Sequence, residues 1–588
     1  MENKKMTRAD LIALGVILFV TLVLAFVYLG DHKGVHTPYR TNGINDRFVI
    51  ELEKSEKIAA VDYFGTMSVE SYLETIMFSL EYSDDGESWQ EYRFKVCPMD
   101  VYSVLYWRQS RFNEPITAKY WRFTAETDDY ILFELGFRRE DGSFAKVRSI
   151  SGTYAGAEAL VDEQELLPES ANVLNSAYFD EIYHARTAYE HINYMPYYEV
   201  THPPLGKLIM SVGIRIFGLT PFGWRFMGAL VGALMVVPFY LLLRRLLKST
   251  LYASCGTVIF AFDFMRFSLT RMATIDSYPM FFVLFMYYFM LRFCELASAY
   301  ADGEKASLKE MSCWLALSGI CMGLACACKW TAPFAAVGLA IIFAFVMITS
   351  ARRFRKRTKK SPLAAAAKCG AWCVLWFIII PAMIYTLSYR PIAAIDGVSP
   401  VKAMLDNTKV MFEYHTGLVD EHAFASRWYS WPVVYRPLWA YQAPIGTLEE
   451  GKIGAISIFP NPIISWLVIG AVVFTLAWSF INRDKVGAFL LVGFFSQYIP
   501  WIFISRLTYI YHYFGAYIFG IMLLTYTVKQ IVLMLDGRVK FIKYLPYALS
   551  GVSVVMFVMF YPVLTGVPVS QDYAEFLSWL DSWVFFAK

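Results

Sequence analysis

The sequence has few charged residues for its length. Only 18% of its 588 residues are Asp, Glu, Lys or Arg, whereas 57% are hydrophobic and the mean hydropathy is +0.41. Because a soluble domain typically carries about 25% charged residues, this composition excludes an ordinary soluble enzyme and indicates a polytopic membrane protein. The net charge of +3 does not indicate nucleic-acid binding, since the basic residues form short runs between apolar segments.

Cysteine is scarce and shows no pairing pattern. Nine is an odd count, eight of the nine lie in or beside apolar segments, and Cys97 in the polar N-terminal region has no nearby partner. Cys326 and Cys328 are followed by no second Cys or His pair at zinc spacing, so we interpret them as small packing residues. The sequence therefore predicts no disulfide framework.

Internal repeats and carboxylates at mid-membrane depth are also lacking. A transporter or sensor with an outer ligand-binding domain is the alternative from another functional class, and a transporter is expected to show such sites and repeats. Apart from Asp263, which lies near an outer helix end with Arg266 three residues later, the predicted spans lack carboxylates at mid-membrane depth. These absences weigh against a transporter.

Long apolar runs are what the chain does contain. Leu11–Gly30 is about 20 residues without a charge, enough to cross a bilayer. It follows Lys4, Lys5 and Arg8 with no small-residue cleavage site, which predicts a retained helix with a cytoplasmic N-terminus. About eleven spans are predicted in all, and the others lie near residues 220–243, 249–267, 277–296, 312–328, 331–350, 365–388, 461–481, 486–503, 507–528 and 544–564.

The connections between these spans predict the topology. Four basic connections fall on the side of the N-terminus, as the positive-inside rule requires, and they are Arg244–Lys248, Arg352–Lys360, Asn482–Lys485 and Asp536–Lys543. An odd number of spans places the C-terminus outside. The reactive face is predicted to be outside too, because every histidine falls in an outer segment or at an outer helix end: His32, His36, His184, His191, His202, His415, His422 and His512.

Residues 34–165 show a different pattern. The runs "DRFVIELE", "TIMFSLEYS", "KYWRFTAE" and "YILFELGFRRE" alternate with period 2, and the turn sequence "SDDGES" separates two of them. This pattern predicts an antiparallel β-sandwich. With "LEYSDDGESWQEY" it resembles the discoidin-like sandwich, whose relatives often bind sugars, lipids or peptides. Ligand binding and a purely structural role are both open at this point.

Two adjacent carboxylates follow at an expected membrane surface. Asp180 and Glu181 stand in "SAYFDEIYHARTAYE", and "THPPLGK" begins a segment suited to lie along the interface. Neighbouring helical residues point about 100° apart, so one carboxylate is expected to do chemistry while the other orients a partner. The alternative is a capping pair that stabilises the helix N-terminus by up to about 1 kcal/mol.

Motifs in the same order along the chain carry a family resemblance. "FDEIYHA" followed by "THPPLGK" resembles the first outer loop of the protein O-mannosyltransferases, membrane enzymes of the GT-C fold. The resemblance implies an all-α polytopic bundle, here with an inserted extracytoplasmic antiparallel β-sandwich. The further matching segments are Pro221–Gly232, Thr270–Phe282, Cys328–Ala340, Tyr414–Pro437, Ile458–Leu467 and Phe503–Phe519.

The resemblance implies mannose transfer from a polyprenyl-phosphate donor to Ser or Thr hydroxyls of exported proteins, with inversion and without a metal or other cofactor. Such a displacement needs a base for the hydroxyl and cations for the departing phosphate. Asp180 is the expected base, kept ionised at neutral pH by an ordinary pKa of about 3.9. Glu181 is expected to place the acceptor or a neighbouring cation. The expected phosphate partners are Lys207, Arg225 and Arg506.

Alternatives accompany these roles. Arg225 is also suited to snorkelling at the membrane interface, and Lys207 is suited to anchoring an interfacial helix.

Further substrate-site candidates are His202, Arg271, Asp276, His415, Trp431 and Arg436. Arg271 and Asp276 are also spaced for a structural pair. His415 and His422, near Asp420 and Glu421, lack a zinc spacing, and lining of an acceptor groove is preferred to metal binding. The aromatic residues around Trp431 suit sugar stacking or a membrane-interface belt.

The chain departs from the eukaryotic members of the family, which carry a β-trefoil in the fourth outer loop. Residues 389–460 are too few to hold a β-trefoil, which implies a bacterial-type relative in the plasma membrane. The identity of the sugar stays open, and so does an envelope lipid or polymer as the acceptor. A dimer is also left open.

The predicted divisions are 1–33 first span, 34–165 sandwich, 166–219 catalytic segment, 220–388 spans two to seven, 389–460 outer loop, 461–564 spans eight to eleven and 565–588 outer tail.

Overall fold

The computed structural model describes residues 6–67, 76–127, 130–418 and 422–587. Within them the chain is mostly helical, and ten helical segments are long and apolar enough to cross a membrane. The helices are α1 Arg8–Phe26, α2 Glu181–Ile192, α3 Leu205–Phe217, α4 Pro221–Leu234, α5 Val236–Leu247, α6 Thr250–Ala261, α7 Phe264–Arg271, α8 Ser277–Asp302, α9 Leu308–Cys328, α10 Ala332–Thr358, α11 Leu363–Val374, α12 Ile380–Ser388, α13 Arg390–Ile395, α14 Pro400–Gly417, α15 Pro462–Asn482, α16 Lys485–Tyr498, α17 Phe514–Leu535, α18 Leu545–Thr565 and α19 Gln571–Leu577.

Ten of the eleven predicted spans are long apolar segments in the structure. The remaining one, predicted near 249–267, is divided into α6 and α7. Asp263 causes the division, because its carboxylate accepts a hydrogen bond from the backbone amide of Arg266 and caps α7 as a new helix. The chain is a multi-pass membrane protein.

Helix direction gathers the predicted site residues at one end of the bundle. Because α8 runs away from Asp276 and α9 returns to Lys329, these two residues meet at the same end. They form an ion pair with a distance of 2.6 Å between Lys329 Nζ and Asp276 Oδ1. The bundle thereby brings segments far apart in sequence to one surface.

The region after α1 forms an antiparallel sheet. Its strands are β1 Tyr39–Arg40, β2 Arg47–Met67, β3 Ile76–Ser83, β4 Gln90–Met99, β5 Tyr106–Ala125, β6 Tyr130–Arg139 and β7 Val147–Gly152. Four short strands lie nearer the C-terminus: β8 Leu438–Gln442, β9 Lys452–Ile453, β10 Ala455–Ile458 and β11 Val569–Ser570. The order in the large sheet is β1-β6-β2-β5-β3-β4, with β7 beside β2.

Irregular pairing along β2 curls this sheet. β2 pairs with β7 in its first half and with β6 in its second, and the register shifts between Glu51 and Glu56 and between Ile58 and Ala60. Such bulges bend a strand and increase its twist. The region predicted as an antiparallel β-sandwich is one curled antiparallel sheet around a buried core that includes Phe78, while the discoidin-like resemblance stays a prediction.

The sheet is attached directly to the segment that leads into α2. The amide of Ala177 donates to the carbonyl of Leu105 at 2.8 Å, and the amide of Trp107 donates to Ser176 Oγ at 3.2 Å. Phe133 of β6 also packs its ring against Tyr189 of α2. The sheet is thus fixed against the chain within four residues of Asp180.

Candidate active site at one end of the helical bundle

Asp180 stands at the N-terminus of α2 with a free carboxylate. Phe179, immediately before it, has φ +50°, a left-handed conformation that non-glycine residues rarely adopt. Asp180 is the N-cap residue of α2, yet its side chain makes no capping hydrogen bond. Its carboxylate has no ion-pair or hydrogen-bond partner among the described residues. The structure thus gives no support to the capping alternative for Asp180.

The surroundings of Asp180 alter its protonation. Burial raises the pKa of Asp180 to about 7, the negative charges of Asp276 and Glu199 act in the same direction, and Lys329 opposes them. The expectation of an ordinary pKa near 3.9 is therefore wrong, because a sequence pattern does not reveal how much water a carboxylate loses. A base with a pKa near the working pH is well suited to general base catalysis.

Glu181 has entirely different surroundings from its neighbour. Its side chain is fully buried and accepts hydrogen bonds from Arg225 Nε and Nη2, both at 2.7 Å, and from the amide of Ala273 at 2.9 Å. Trp224 Nε1 also donates to it. The Glu181 carboxylate is therefore occupied by buried donors and fixes the position of the Arg225 guanidinium.

Arg225 is occupied by internal contacts. Besides Glu181, its guanidinium donates to the carbonyls of Leu29, Val173 and Ser176, and the residue is 1% exposed. Because all five N–H groups of the guanidinium are directed at these acceptors, it has no N–H group left to donate to a phosphate. The contacts oppose both the predicted phosphate role and the snorkelling alternative, and they indicate that Arg225 joins α4 to the segment before α2.

Lys207 is likewise engaged inside the protein. Its ammonium donates to the carboxylate and the carbonyl of Glu199 and to the carbonyl of His202, and the residue is 1% exposed. These contacts oppose the predicted phosphate role and the interfacial-anchor alternative.

Glu199 connects Lys207 to the histidines. Its Oε1 lies 2.9 Å from Nδ1 of His202, and its Oε2 lies 3.9 Å from Nδ1 of His184. Although burial alone raises the pKa of Glu199, the charge of Lys207 and the contact with His202 hold it well below its usual range. Burial lowers the pKa of His202 and brings that of His415 to about 4, which favours neutral imidazoles at pH 7.

A cavity of about 1140 Å³ opens at the same end of the bundle. Its lining is cationic and aromatic, and no Asp or Glu contributes to it within the described residues. Asp420 and Glu421, near which a metal site was considered, lie outside the described residues. The lining residues with basic or imidazole side chains are His202, Lys329, His415, His422, Arg427, Arg436 and Arg506.

The structure brings together part of the predicted site. His202, His415, Arg436 and Arg506 line the cavity, and Asp276 reaches it through its ion pair with Lys329. Lys329 also connects the cavity to Asp180, on whose pKa its charge acts. Asp180 itself is not one of the lining residues. The cavity and Asp180 are thus linked through the Lys329–Asp276 pair.

Two predicted substrate residues lie elsewhere. Arg271 donates to the carbonyls of Leu24, Ala25 and Tyr28 at the end of α1, so it does not form the considered pair with Asp276. Trp431 is fully buried, and its Nε1 donates to Ser426. Both are described residues that do not line the cavity, and their contacts are structural.

Sequence reasoning missed Lys329, Glu199 and Arg427. Lys329 stands in the matched "CKWTAPFAAVGLA" segment, so the motif contained the signal although its residues were not assigned roles. Glu199 precedes the His-Pro-Pro motif by only three residues, but its partners come together only in the folded chain. Arg427 gives no local signal, because its position at the cavity depends on the course of the outer loop.

Metal-ligating side chains meet at one place in the sheet region. Ligand atoms of Glu134, Asp162 and Glu163 lie within 4.8 Å of one another. Glu163 already pairs with His36, and burial raises the pKa of Glu134 to about 9, so that Glu134 is protonated at neutral pH. A protonated carboxyl is a poor cation ligand, and these residues do not line the cationic cavity.

The chain is similar in sequence to known mannosyltransferases. A family model of the C-terminal four-transmembrane region of protein O-mannosyltransferase matches residues 400–583, and one of dolichyl-phosphate-mannose-protein mannosyltransferase matches residues 201–379. The polyprenol-phosphate-mannose–protein mannosyltransferase of Mycobacterium tuberculosis is 26% identical over 457 residues, which cover 69% of this chain and 86% of that protein. Its counterpart from Corynebacterium glutamicum is 24% identical over 438 residues, covering 65% and 81%.

A solved structure extends the likeness to the fold. The Saccharomyces cerevisiae protein O-mannosyltransferase complex bound to the sugar donor matches with a TM-score of 0.58 at 15% identity. The match covers 70% of this chain and 89% of the yeast chain. The helical bundle therefore has the GT-C fold.

Proposed function

Because the chain belongs to the bacterial-type protein O-mannosyltransferase family, we propose that it transfers mannose from a polyprenyl-phosphate donor to Ser or Thr hydroxyls of exported proteins. The chain is a membrane glycosyltransferase. One observation supports the chemistry above all others: Asp180 is an unpaired carboxylate whose pKa burial raises to about 7, and it is linked through the Lys329–Asp276 pair to a cationic cavity.

The proposed reaction begins at Asp180. The acceptor oxygen attacks the anomeric carbon of mannose, the bond from that carbon to the phosphate oxygen breaks, and the hydroxyl proton passes to Asp180. Attack opposite the leaving group inverts the anomeric carbon. Proton transfer as the new bond forms is the step that a positioned base accelerates, typically by about 10²–10⁴-fold.

The cationic cavity is the proposed site of the lipid phosphate. Arg506 lines it with no ion-pair partner among the described residues, and Arg427 and Arg436 add two further guanidinium groups. Donors that already point at the leaving phosphate stabilise the negative charge that develops there. Arg506 keeps its predicted phosphate role, Lys329 is added to it, and Lys207 and Arg225 are withdrawn.

The proposed topology puts this reaction on the outer face of the plasma membrane. The basic connections Arg352–Lys360 and Asn482–Lys485 lie at the bundle end opposite the cavity, in keeping with a cytoplasmic N-terminus. A lipid-anchored donor then enters from the outer leaflet, and exported polypeptides meet it there. The division of the outer part into residues 34–165 and 166–219 belongs to this proposal.

The test uses purified full-length protein, a radiolabelled mannosyl polyprenyl phosphate and a Ser/Thr-rich peptide. Mannosylated peptide from the wild type, reduced at least about 100-fold by Asp180→Asn, supports the proposal. The matched control is Asp302→Asn, which changes an exposed carboxylate at the far end of α8. Donor binding without transfer to the peptide contradicts the acceptor assignment, and absence of donor binding contradicts the donor.

A further inference from the structure

A loop of the curled sheet lies at the surface next to the start of α2. It joins β4 to β5 and contains the short helix Val101–Ser103, which packs against α2. The side chain of Asp100 accepts hydrogen bonds from the amide of Tyr102 at 2.9 Å and from Ser103 Oγ at 2.8 Å. These bonds hold the loop in a defined conformation, because they satisfy donors that a short helix leaves without partners.

The loop is also fixed relative to the proposed base. Leu105, at its end, accepts a hydrogen bond from the amide of Ala177, three residues before Asp180. Ser176 accepts one from the amide of Trp107. The loop and Asp180 therefore occupy constant positions relative to each other, as two walls of one binding surface must.

Four tyrosines interact near the start of α2, two by stacking and two through their electrostatic effect on Tyr183. The rings of Tyr183 and Tyr198 stack with 5.8 Å between centroids and 12° between planes. Tyr102 and Tyr414, with Asp180 and Tyr198, are the charged or phenolic groups that act electrostatically on Tyr183. Tyr102 is 73% exposed and Tyr414 is 45% exposed. We call Tyr102, Tyr183, Tyr198 and Tyr414 the tyrosine surface.

The tyrosine surface and the cavity both carry aromatic side chains, but the two differ in their cationic groups. None of the four tyrosines lines the cavity, whose described lining holds the arginines suited to a phosphate. Tyrosine rings offer large, rigid contact areas at low entropic cost and are enriched where polypeptides bind. The reaction needs a polypeptide on one side of the base and an anionic lipid on the other, and these two surfaces have the matching chemistry.

We propose that the tyrosine surface binds the acceptor polypeptide, and that Tyr102, contributed by the inserted sheet, contacts the acceptor. This inference rests on the proposed function and assigns the sheet a part in acceptor selection. Tyr102 is a specificity-determining residue in this scheme and takes no part in bond making.

The test measures steady-state kinetics with the peptide and the mannosyl polyprenyl phosphate varied separately. Tyr102→Ala is expected to raise the KM for the peptide about tenfold, corresponding to the loss of one aromatic contact, and to leave the donor KM and kcat within about twofold. Tyr102→Phe is expected to retain most of the affinity, since the ring supplies the contact. The matched control is Tyr154→Ala, a 46% exposed tyrosine that follows β7 beside the opposite end of β2.

Equilibrium binding of a fluorescently labelled Ser/Thr-rich peptide to the full-length protein, without donor, separates this inference from the proposed function. Weaker peptide binding by Tyr102→Ala than by wild type supports the inference even if no mannose is transferred. Equal binding by both proteins, no binding by the wild type, or a change confined to the donor KM overturns it. Absence of transfer with intact peptide binding counts against the proposed function alone.

Discussion

The ammonium of Lys329 lies 2.6 Å from Asp276 Oδ1, and the two charges of this pair act in opposite directions on Asp180. Lys329 comes from the end of α9 and Asp276 from the start of α8. The ionisation of the proposed base therefore depends on residues 96 and 149 positions away in the sequence, brought together by the antiparallel arrangement of two membrane helices.

The first prediction concerns the pH dependence of the wild type. Because burial raises the pKa of Asp180 to about 7, a smaller fraction of the base is ionised below that pH. We expect kcat/KM to rise with pH, with a midpoint near 7, and to level off above about pH 8. Initial rates at subsaturating peptide between pH 5 and 9 measure this, and a profile flat from pH 5 upward contradicts the assignment of Asp180.

The second prediction separates the two charges. Asp276→Asn removes a negative charge that raises the pKa of Asp180, so the midpoint is expected to move to lower pH. Lys329→Met removes the opposing cation, so the midpoint is expected to move to higher pH. The midpoint rather than the rate is the readout, since Lys329 also lines the cavity.

The control for both variants is Asp302→Asn, which breaks an exposed pair with Arg353 at the other end of α8. Its profile is expected to coincide with that of the wild type. Shifts of the same sign in Asp276→Asn and Lys329→Met are incompatible with the electrostatic account.

The sequence was sufficient for features that depend on local patterns. Apolar runs located ten spans, and alternation located four strands of the sheet, β2, β3, β5 and β6. The family motif singled out Asp180, but residue type alone assigned phosphate roles to Lys207 and Arg225. Their actual partners, Glu199 and Glu181, are buried acceptors that become visible only when the tertiary contacts are known. Sequence spacing also does not reveal desolvation, which is why the pKa of Asp180 was misjudged.

The third prediction concerns the lipid phosphate. Arg506 lines the cavity without an ion-pair partner among the described residues, so Arg506→Gln removes a cation available to the donor. A hydrogen bond to a charged group contributes about 1.5–3 kcal/mol, and we expect the donor KM to rise about 10- to 100-fold with the peptide KM little changed. Arg215→Gln, at an exposed arginine of α3 outside the cavity lining, is the control. An unchanged donor KM in Arg506→Gln rejects this role.

The last prediction distinguishes a structural arginine from a substrate-binding one. Arg225→Gln leaves the buried carboxylate of Glu181 without its cation and three carbonyls without a donor. Removing one partner of a buried ion pair typically costs about 3–5 kcal/mol, so we expect a clearly lower thermal unfolding midpoint in detergent micelles. Arg225→Lys is expected to be destabilising as well, because an ammonium lacks the planar fork that reaches Glu181 with two nitrogens.

The folded fraction of either variant should keep the wild-type donor KM, whereas Arg506→Gln should change the donor KM at an unchanged unfolding midpoint. The reverse result, a stable Arg225→Gln protein with a selectively raised donor KM, would return Arg225 to the phosphate site and contradict the structural role assigned to it.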